Sequence, residues 1–582
     1  MTTPRRKLIN DPDALIEHLI EGMVSAHPQY LCVQGDTGRA IVARDGPREG
    51  KVGIVVGGGS GHEPAFAGYV GRGLADAAPL GNIFASPSPS QIMDAGFAAD
   101  GGAGVLFLFG NYTGDVMNFG MAEEGLAEHG VTARSFVVTD DIASAPKNRM
   151  EERRGIAGDF FVFKVAGAAA DLGLAMEEVE DAAKRANDAT RTMGVALSAC
   201  TMPQTGKANF ELPAGEMEIG MGIHGEPGVE RGPAGSADAV ADKLLNPILE
   251  ELELAKGHKV AVLVNGLGST SLLELYILHR RVAQVLTDRE VDIHASWVGE
   301  YCTSLDMEGA SITVMRLDSD LTTWLDHPCE TPALRVGEAV AEQIAPARKE
   351  RARAKQQARQ TIDLSKLNTG GSITPARFRS LMAVSLGAIQ DHRDRLNALD
   401  GAIGDGDHGL TMEIGWKAVG EVLSRADDTT TITMLCDDIA EAFLESVGAS
   451  VGPLYSSGFK SAGRAVSDRL NLDAAALVLW LDAMAKGIQD RGGASLGQKT
   501  MVDAWVPAAE AARNRLDAGG SAEECLVAAA EAAGQGAAST KDVVSQMGRS
   551  KKLGDRSAGH IDPGAESASV LLSTWASALQ LK

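Results

Sequence analysis

Three apolar runs, each of strand length and each ending in a glycine cluster, most constrain how this chain can fold. They are Lys51–Gly61 (KVGIVVGGGSG), Gly104–Gly114 (GVLFLFGNYTG) and Lys259–Ser269 (KVAVLVNGLGS). Unbroken Val, Ile, Leu and Phe over so few residues read as strands buried on both faces, which belong to sheets covered by helices. The segments between them, such as SPSQIMDAGFAAD and AMEEVEDAAKRANDAT, have the spacing of helices. This alternation over residues 1–340 predicts an α/β region with mainly parallel sheets, in two lobes of approximately 1–190 and 191–340. Ligands of such folds bind beyond the carboxyl ends of the strands, where these glycines lie.

The pattern then changes twice. Residues 341–373 are expected to form a charged linker, within which the segment APARKERARAKQQARQ sets Arg348, Lys349, Arg351, Arg353, Lys355 and Arg359 against the single acid Glu350. From residue 374 to 582 the apolar residues keep helical spacing and strand-like alternation disappears, as in DAAALVLWLDAMAKGI and SAEECLVAAAEAAGQGAAS. This part is predicted to be an all-α domain whose helices are separated by glycine loops at Gly401–Gly409, Gly448–Gly458, Gly492–Gly497 and Gly548–Gly564.

Composition removes several classes of function. A net charge of −24 argues against a nucleic-acid partner, since phosphate backbones are held by an excess of Lys and Arg. The 6 cysteines are scattered without a CxxC pair, so neither a disulfide framework nor a zinc site is indicated. The stretch MTTPRRKLIND lacks the apolar segment of a signal peptide, and no run approaches the roughly 20 apolar residues of a membrane span. A soluble cytoplasmic protein without a membrane partner is expected.

Two sets of residues carry chemistry. In LDGAIGDGDHGLTM, Asp400, Asp405 and Asp407 cluster around two glycines, giving the hard oxygen ligands that Mg²⁺ takes. Other loops of the helical part offer phosphate-binding groups: Ser450, Ser456 and Ser457; Lys499 and Thr500; Arg549, Arg556 and Asp562. No GxxxxGK[ST] sequence occurs, so phosphates must be held by metal and loops. In the α/β part, His62, Asp115 and His224 each stand on a glycine loop at a strand end. An imidazole can add to a ketone carbonyl, and a carboxylate can accept a hydroxyl proton.

The motifs GGGSGHEP, SPSP, NYTGD, ACTMPQTGK, GIHGEPG and YCTSLDMEG resemble the substrate-binding part of the dihydroxyacetone kinase family. LDGAIGDGDHG, GPLYSSG, GQKTMVD and LGDRSAGHIDPGA resemble its nucleotide-binding part, in the single-chain arrangement of the ATP-dependent branch. The resemblance implies a kinase using ATP and Mg²⁺, with a helical part built as an antiparallel barrel. It implies that His224 binds the ketone covalently, His62 hydrogen-bonds it, Asp115 is the general base, and Gly59 and Ser86 line the pocket. The three aspartates would hold Mg²⁺. The nucleotide would lie against His408, Gly448, Ser450, Gly452, Thr500, Met501, Arg549, Arg556, Asp562 and Gly564. A homodimer is expected on the same ground.

The chain departs from the family pattern at four places. Phe66 stands where GHEPxH has a second histidine, and Gly110 where many relatives carry lysine. Gln498 replaces the acid of GDKT, and Ser550–Lys552 replaces an Ala-Ser-Tyr. Losing two donors and gaining volume at Gly110 points to a ketose longer than dihydroxyacetone, namely erythrulose in either enantiomer, phosphorylated at a terminal hydroxyl. Dihydroxyacetone itself is the alternative substrate, and a sugar-sensing regulatory paralogue the non-enzymatic alternative.

Overall fold

The structure, a computed structural model, describes residues 7–337, 367–427 and 430–580. Nearly all of the expected linker 341–373 lies outside them, as do the side chains of Arg549 and Lys552. The chain divides into two compact units, Met1–Arg348 and Lys349–Lys582.

The first unit holds two large sheets. One contains β1 (Leu31–Gln34), β2 (Ala40–Ala43), β3 (Gly53–Val56), β4 (Gly58–Ser60), β5 (Ala77–Ile83), β6 (Val105–Gly110) and β7 (Ala133–Val138). Its order is β1-β2-β5-β3-β6-β7, with β4 paired to β5. The pairs β3–β5, β3–β6, β4–β5 and β6–β7 are parallel, as the sequence pattern predicts. Along β6, Phe107 and Phe109 pack to one side with Phe119 and Ile92, while Leu106 and Leu108 pack to the other. The helix Pro89–Ala99 starts where it does because Ser88 and Gln91 form a capping box.

The second sheet contains β8 (Thr190–Ala196), β9 (Glu216–Ile219), β10 (Glu230–Pro233), β11 (Lys259–Gly266), β12 (Asp292–Gly299) and β13 (Gly309–Leu317). Its order is β10-β9-β8-β13-β11-β12, and only β11 and β12 are parallel. This corrects the expectation of mainly parallel sheets. A parallel pair needs a crossover, and here only the helix Leu272–Asp288 supplies one within the sheet's neighbouring strands. The chain after β12 turns back through a loop, so β13 runs antiparallel to β11. A single apolar cluster includes Leu106 and Leu108 of the first sheet and Ala261, Leu263 and Met315 of the second.

The second unit is helical: Pro375–Ala383, Ser385–Ile403, His408–Ser424, Ile432–Ser446, Val451–Ala465, Ala474–Gly492, Val502–Asp517, Ala522–Ser539 and Pro563–Gln580. Ser385–Ile403 packs against the last helix, Pro563–Gln580. The expected loop Gly448–Gly458 is mostly helix, because Val451–Ala465 begins inside it. Its Gly458 is a packing residue: a Cβ there would lie 2.8 Å from Met484 Sδ. Trp416, Trp480, Trp505 and Trp575 are fully buried together, with Trp575 centred 6.1 Å from both Trp480 and Trp505. No helix of the described residues is long and apolar enough to cross a membrane, and all 6 cysteines are free.

Trp575 supplies apolar area to three neighbours at once, so Trp575→Ala should destabilise the helical unit by about 3–5 kcal/mol. Urea unfolding followed by far-ultraviolet circular dichroism measures this, and a loss below about 1 kcal/mol would show that the indole cluster collapses to fill the gap.

Candidate active site

The α/β unit brings His62 and His224 together although they follow strands of different sheets. His62 lies just beyond β4, and His224 lies in the loop between β9 and β10. Their Nε2 atoms are 3.0 Å apart, and both side chains are buried. His62 Nδ1 lies 2.8 Å from the carbonyl oxygen of Thr303. Around it, the Thr303 N–H donates to His62 O at 3.1 Å and the Leu305 N–H to Gly61 O at 2.8 Å. Burial, then the neighbouring His224, lowers the pKa of His62 to about 3, so this imidazole is neutral at physiological pH.

Three rings enclose the pair. Phe84 stacks on His62 at 5.0 Å between centroids, and its ring meets that of His224 at 5.2 Å. Tyr112 meets His224 edge to face at 4.7 Å. Phe84 and Leu305 are held at φ of +56° and +54°, a left-handed conformation that is costly for such residues. The strand carrying Gly59 passes so close to Phe84–Ala85 that a Cβ on Gly59 would lie 2.5 Å from the Ala85 nitrogen. Gly59, expected to line the pocket, therefore packs against the Phe84–Ala85 backbone, and Ser86, expected there too, is buried two residues after Phe84. Asp115 is buried on the first turn of the helix Thr113–Glu128, directly after the Tyr112 ring.

The departures at Phe66 and Gly110 read differently in space. The Phe66 ring is buried against Gly58, where a Cβ would lie 2.4 Å from its Cε2, and 6.0 Å from the Phe163 ring. It supports the strand that carries Gly59. Gly110 frees no volume, which corrects the expectation: a Cβ there would lie 3.0 Å from Gly155 O and 3.1 Å from Tyr112 Cε2. The space is filled by the Gly155 backbone and by the ring that rests on His224.

Glu226 was not legible as a site residue, although it stands two positions after His224 in GIHGEPG. Its Oε1 lies 3.0 Å from His224 Nδ1, and its Oε2 accepts the His224 backbone N–H at 3.0 Å. Behind it the buried Arg154 donates from Nε to Asp141 Oδ2 at 2.8 Å, and its Nη1 lies 3.9 Å from Glu226 Oε2.

In the helical unit, one oxygen from each of Asp400, Asp405 and Asp407 falls within 4.8 Å of the others. Asp400 Oδ2 accepts the N–H groups of Gly406, Asp407 and His408 at 2.9, 3.0 and 3.2 Å, which fixes the turn before the helix His408–Ser424. Burial, then the charge on Asp400, raises the pKa of Asp407 to about 7. A buried carboxyl that resists ionisation beside two other carboxylates fits a divalent cation, which supplies the missing positive charge and takes hard oxygen ligands.

The remaining candidates divide. His408 Nε2 lies 2.9 Å from Ser567 Oγ. Asp562 Oδ2 accepts the Ala565 N–H at 2.8 Å, and burial raises the Asp562 pKa to about 7, with Asp400 adding to the rise. A Cβ on Gly564 would lie 3.1 Å from Asp562 Oδ2 and 3.5 Å from Met501 Cβ. Thr500 N–H donates to Asp503 Oδ2 at 2.8 Å. Thr500, Met501, Asp562 and Gly564 thus gather at the ends of two helices near Asp400. Ser450 and Gly452 stand at the start of the helix Val451–Ala465, just after Gly448. Ser457, in contrast, lies on that helix and accepts from Arg491 Nε at 3.1 Å. Arg556 is exposed on the 3₁₀ segment Arg549–Ser557. Lys499 donates its ammonium to the carbonyls of Thr540 and His560.

A family model described as the Dak1 domain matches residues 21–333, and one described as the DAK2 domain matches residues 402–577. The chain belongs to the dihydroxyacetone kinase family. It carries both domains in one chain and is an ATP-dependent kinase. It is 37% identical to an L-erythrulose kinase of Pectobacterium atrosepticum, over 97% of this chain and 95% of the relative. It is 38% identical to a D-erythrulose kinase of Mycolicibacterium smegmatis, over 99% of each. The crystal structure of the dihydroxyacetone kinase from C. freundii in complex with AMP-PNP and Mg²⁺ matches with a TM-score of 0.52 at 29% identity, covering 98% of this chain and 99% of that one.

The raised pKa of Asp407 makes metal binding pH-dependent. A carboxyl titrating near 7 is mostly protonated at pH 6, and a cation needs the carboxylate, so binding there must expel a proton. The same group stabilises the metal-free fold below its unfolded pKa, and that contribution is lost as pH rises through about 7. Calorimetric titration of Mg²⁺ in two buffers of different ionisation enthalpy should show proton release at pH 6 and almost none above pH 8. Equal proton counts at both pH values would contradict the trio as the cation site.

Proposed function

We propose that the protein phosphorylates a terminal hydroxyl of erythrulose, holding the ketone covalently on His224. The observation that carries the carbonyl site is the buried His62–His224 contact, closed in by Phe84 and Tyr112. The observation that favours a four-carbon substrate is the match over nearly the whole chain to two erythrulose kinases. A covalent link to an imidazole selects for a carbonyl, so glycerol is rejected by chemistry and not by size alone.

In this reading His62 hydrogen-bonds the bound sugar, Asp115 takes the proton of the reacting hydroxyl, and Gly59 and Ser86 bound the pocket. Asp400, Asp405 and Asp407 hold Mg²⁺, which would neutralise the charge of the ATP phosphates. His408, Thr500, Met501, Asp562 and Gly564 orient the nucleotide, with Gly448, Ser450, Gly452, Arg549 and Arg556 as further candidates. The packing of the second helix on the last supports a closed antiparallel barrel, and the two large sheets support a two-lobed α/β region. A homodimer is supported by the exposed Leu272, Leu273, Tyr276 and Ile277 on one helix.

Turnover with ATP and Mg²⁺ should give a kcat/KM for one erythrulose enantiomer at least tenfold above that for dihydroxyacetone. A preference for dihydroxyacetone would end the four-carbon assignment. His224→Ala should fold normally and lose more than about a thousandfold in kcat; unchanged turnover would end the covalent role.

A further inference from the structure

The loop that carries His224 is built around a carboxylate. The Gly222 N–H donates to Glu226 O at 3.0 Å and the Gly225 N–H to Gly222 O at 3.0 Å, with Gly225 at φ of +88°. This tight turn folds Glu226 back so that it receives both the His224 backbone N–H and the Nδ1 side of the ring. No side chain fits at Gly222, where a Cβ would lie 2.1 Å from Glu226 Oε2 and 2.5 Å from Arg154 Nη1. Arg154 is itself fixed by Asp141 and by the Gly220 carbonyl at 3.0 Å. His224, Glu226, Arg154 and Asp141 are all buried.

The protons can be counted from the partners. A carbonyl only accepts, so Thr303 requires a proton on His62 Nδ1. The Glu226 carboxylate likewise requires one on His224 Nδ1. Two Nε2 lone pairs would then face each other at 3.0 Å, so one additional proton lies between them. The pair carries one positive charge, opposite the negative charge of Glu226.

We propose that Glu226 is a positioning residue for the addition of His224 to the ketone: it keeps the proton on Nδ1, aims Nε2 at the carbonyl, and balances the charge the ring carries in the adduct. The step balances within the site. The Nε2 lone pair forms the bond to the carbonyl carbon, and the C=O π pair moves onto oxygen. The shared proton passes across the 3.0 Å contact to His62, which is neutral at rest, as the ring attacks, and ends on that oxygen. His62 returns to its neutral form, and the alkylated ring keeps Nδ1–H against Glu226. The same geometry in a protein without this chemistry would only brace the loop.

The inference rests on the covalent reading above, and the experiment separates the two. Full-length protein is mixed with erythrulose labelled with ¹³C at the carbonyl, without nucleotide, and the carbon spectrum is read for a tetrahedral adduct. The unaltered protein should show the adduct, and Glu226→Gln, which keeps the shape and loses the charge, should lower its population at least tenfold with an unchanged melting temperature. Its kcat/KM should fall by a similar factor. An adduct retained in full by Glu226→Gln overturns the role of Glu226, while no adduct in the unaltered protein overturns the covalent reading and this role with it. Should Glu226→Gln not fold, ¹⁵N-histidine labelling of the unaltered protein decides: the adduct must show a protonated Nδ1 on His224, and a bare Nδ1 overturns the proposal.

Discussion

The hydrogen bond between His62 and the Thr303 carbonyl makes one site out of two sheets. His62 belongs to the loop after β4 and Thr303 to the loop before β13, so neither sheet alone could present two histidines to one carbonyl. Backbone bonds on either side, from Thr303 to His62 and from Leu305 to Gly61, close the seam. Opening it would leave several buried polar groups unmet, at about 1–3 kcal/mol each. The left-handed Phe84 and Leu305 persist because this seam holds the backbone around them.

The two sites manage buried charge in opposite ways. In the α/β unit, Asp141 and Glu226 share Arg154, so the acids behind His224 are compensated within the protein. In the helical unit, Lys499 turns its ammonium to two backbone carbonyls although Asp562 is near. The carboxyls of Asp407 and Asp562 are left with pKa values pushed up to about 7. The acids behind His224 are compensated as folded, whereas the crowded carboxyls of the helical unit leave a deficit of positive charge that a cation would meet.

Much of this was legible in the chain. Lys51–Gly61, Gly104–Gly114 and Lys259–Ser269 do contain buried strands, as short apolar runs bounded by glycine suggest, although Gly58–Ser60 forms a strand of its own where a loop was expected. The second sheet's antiparallel order was not legible, since strand direction depends on loop paths such as that between β12 and β13. Glycines misled where they serve packing: Gly458 sits inside a helix because Met484 crosses there. His62, His224 and the aspartate trio carried visible signals in their glycine surroundings. Glu226 did not, because a lone acid in a turn resembles any solvated loop residue until its side chain is seen to fold back on the histidine.

Gly110 and Gly155 face each other across a gap with no room for a side chain at 155 and a tight fit for one at 110. A Cβ on Gly155 would lie 2.4 Å from Gly110 Cα, and one on Gly110 would lie 3.0 Å from Gly155 O. The two positions are therefore sterically coupled. A lysine at 110 requires the Gly155 segment and the Tyr112 ring to give way. Any single exchange overpacks the gap. Enlarging either residue therefore requires a shift of the backbone opposite it as well.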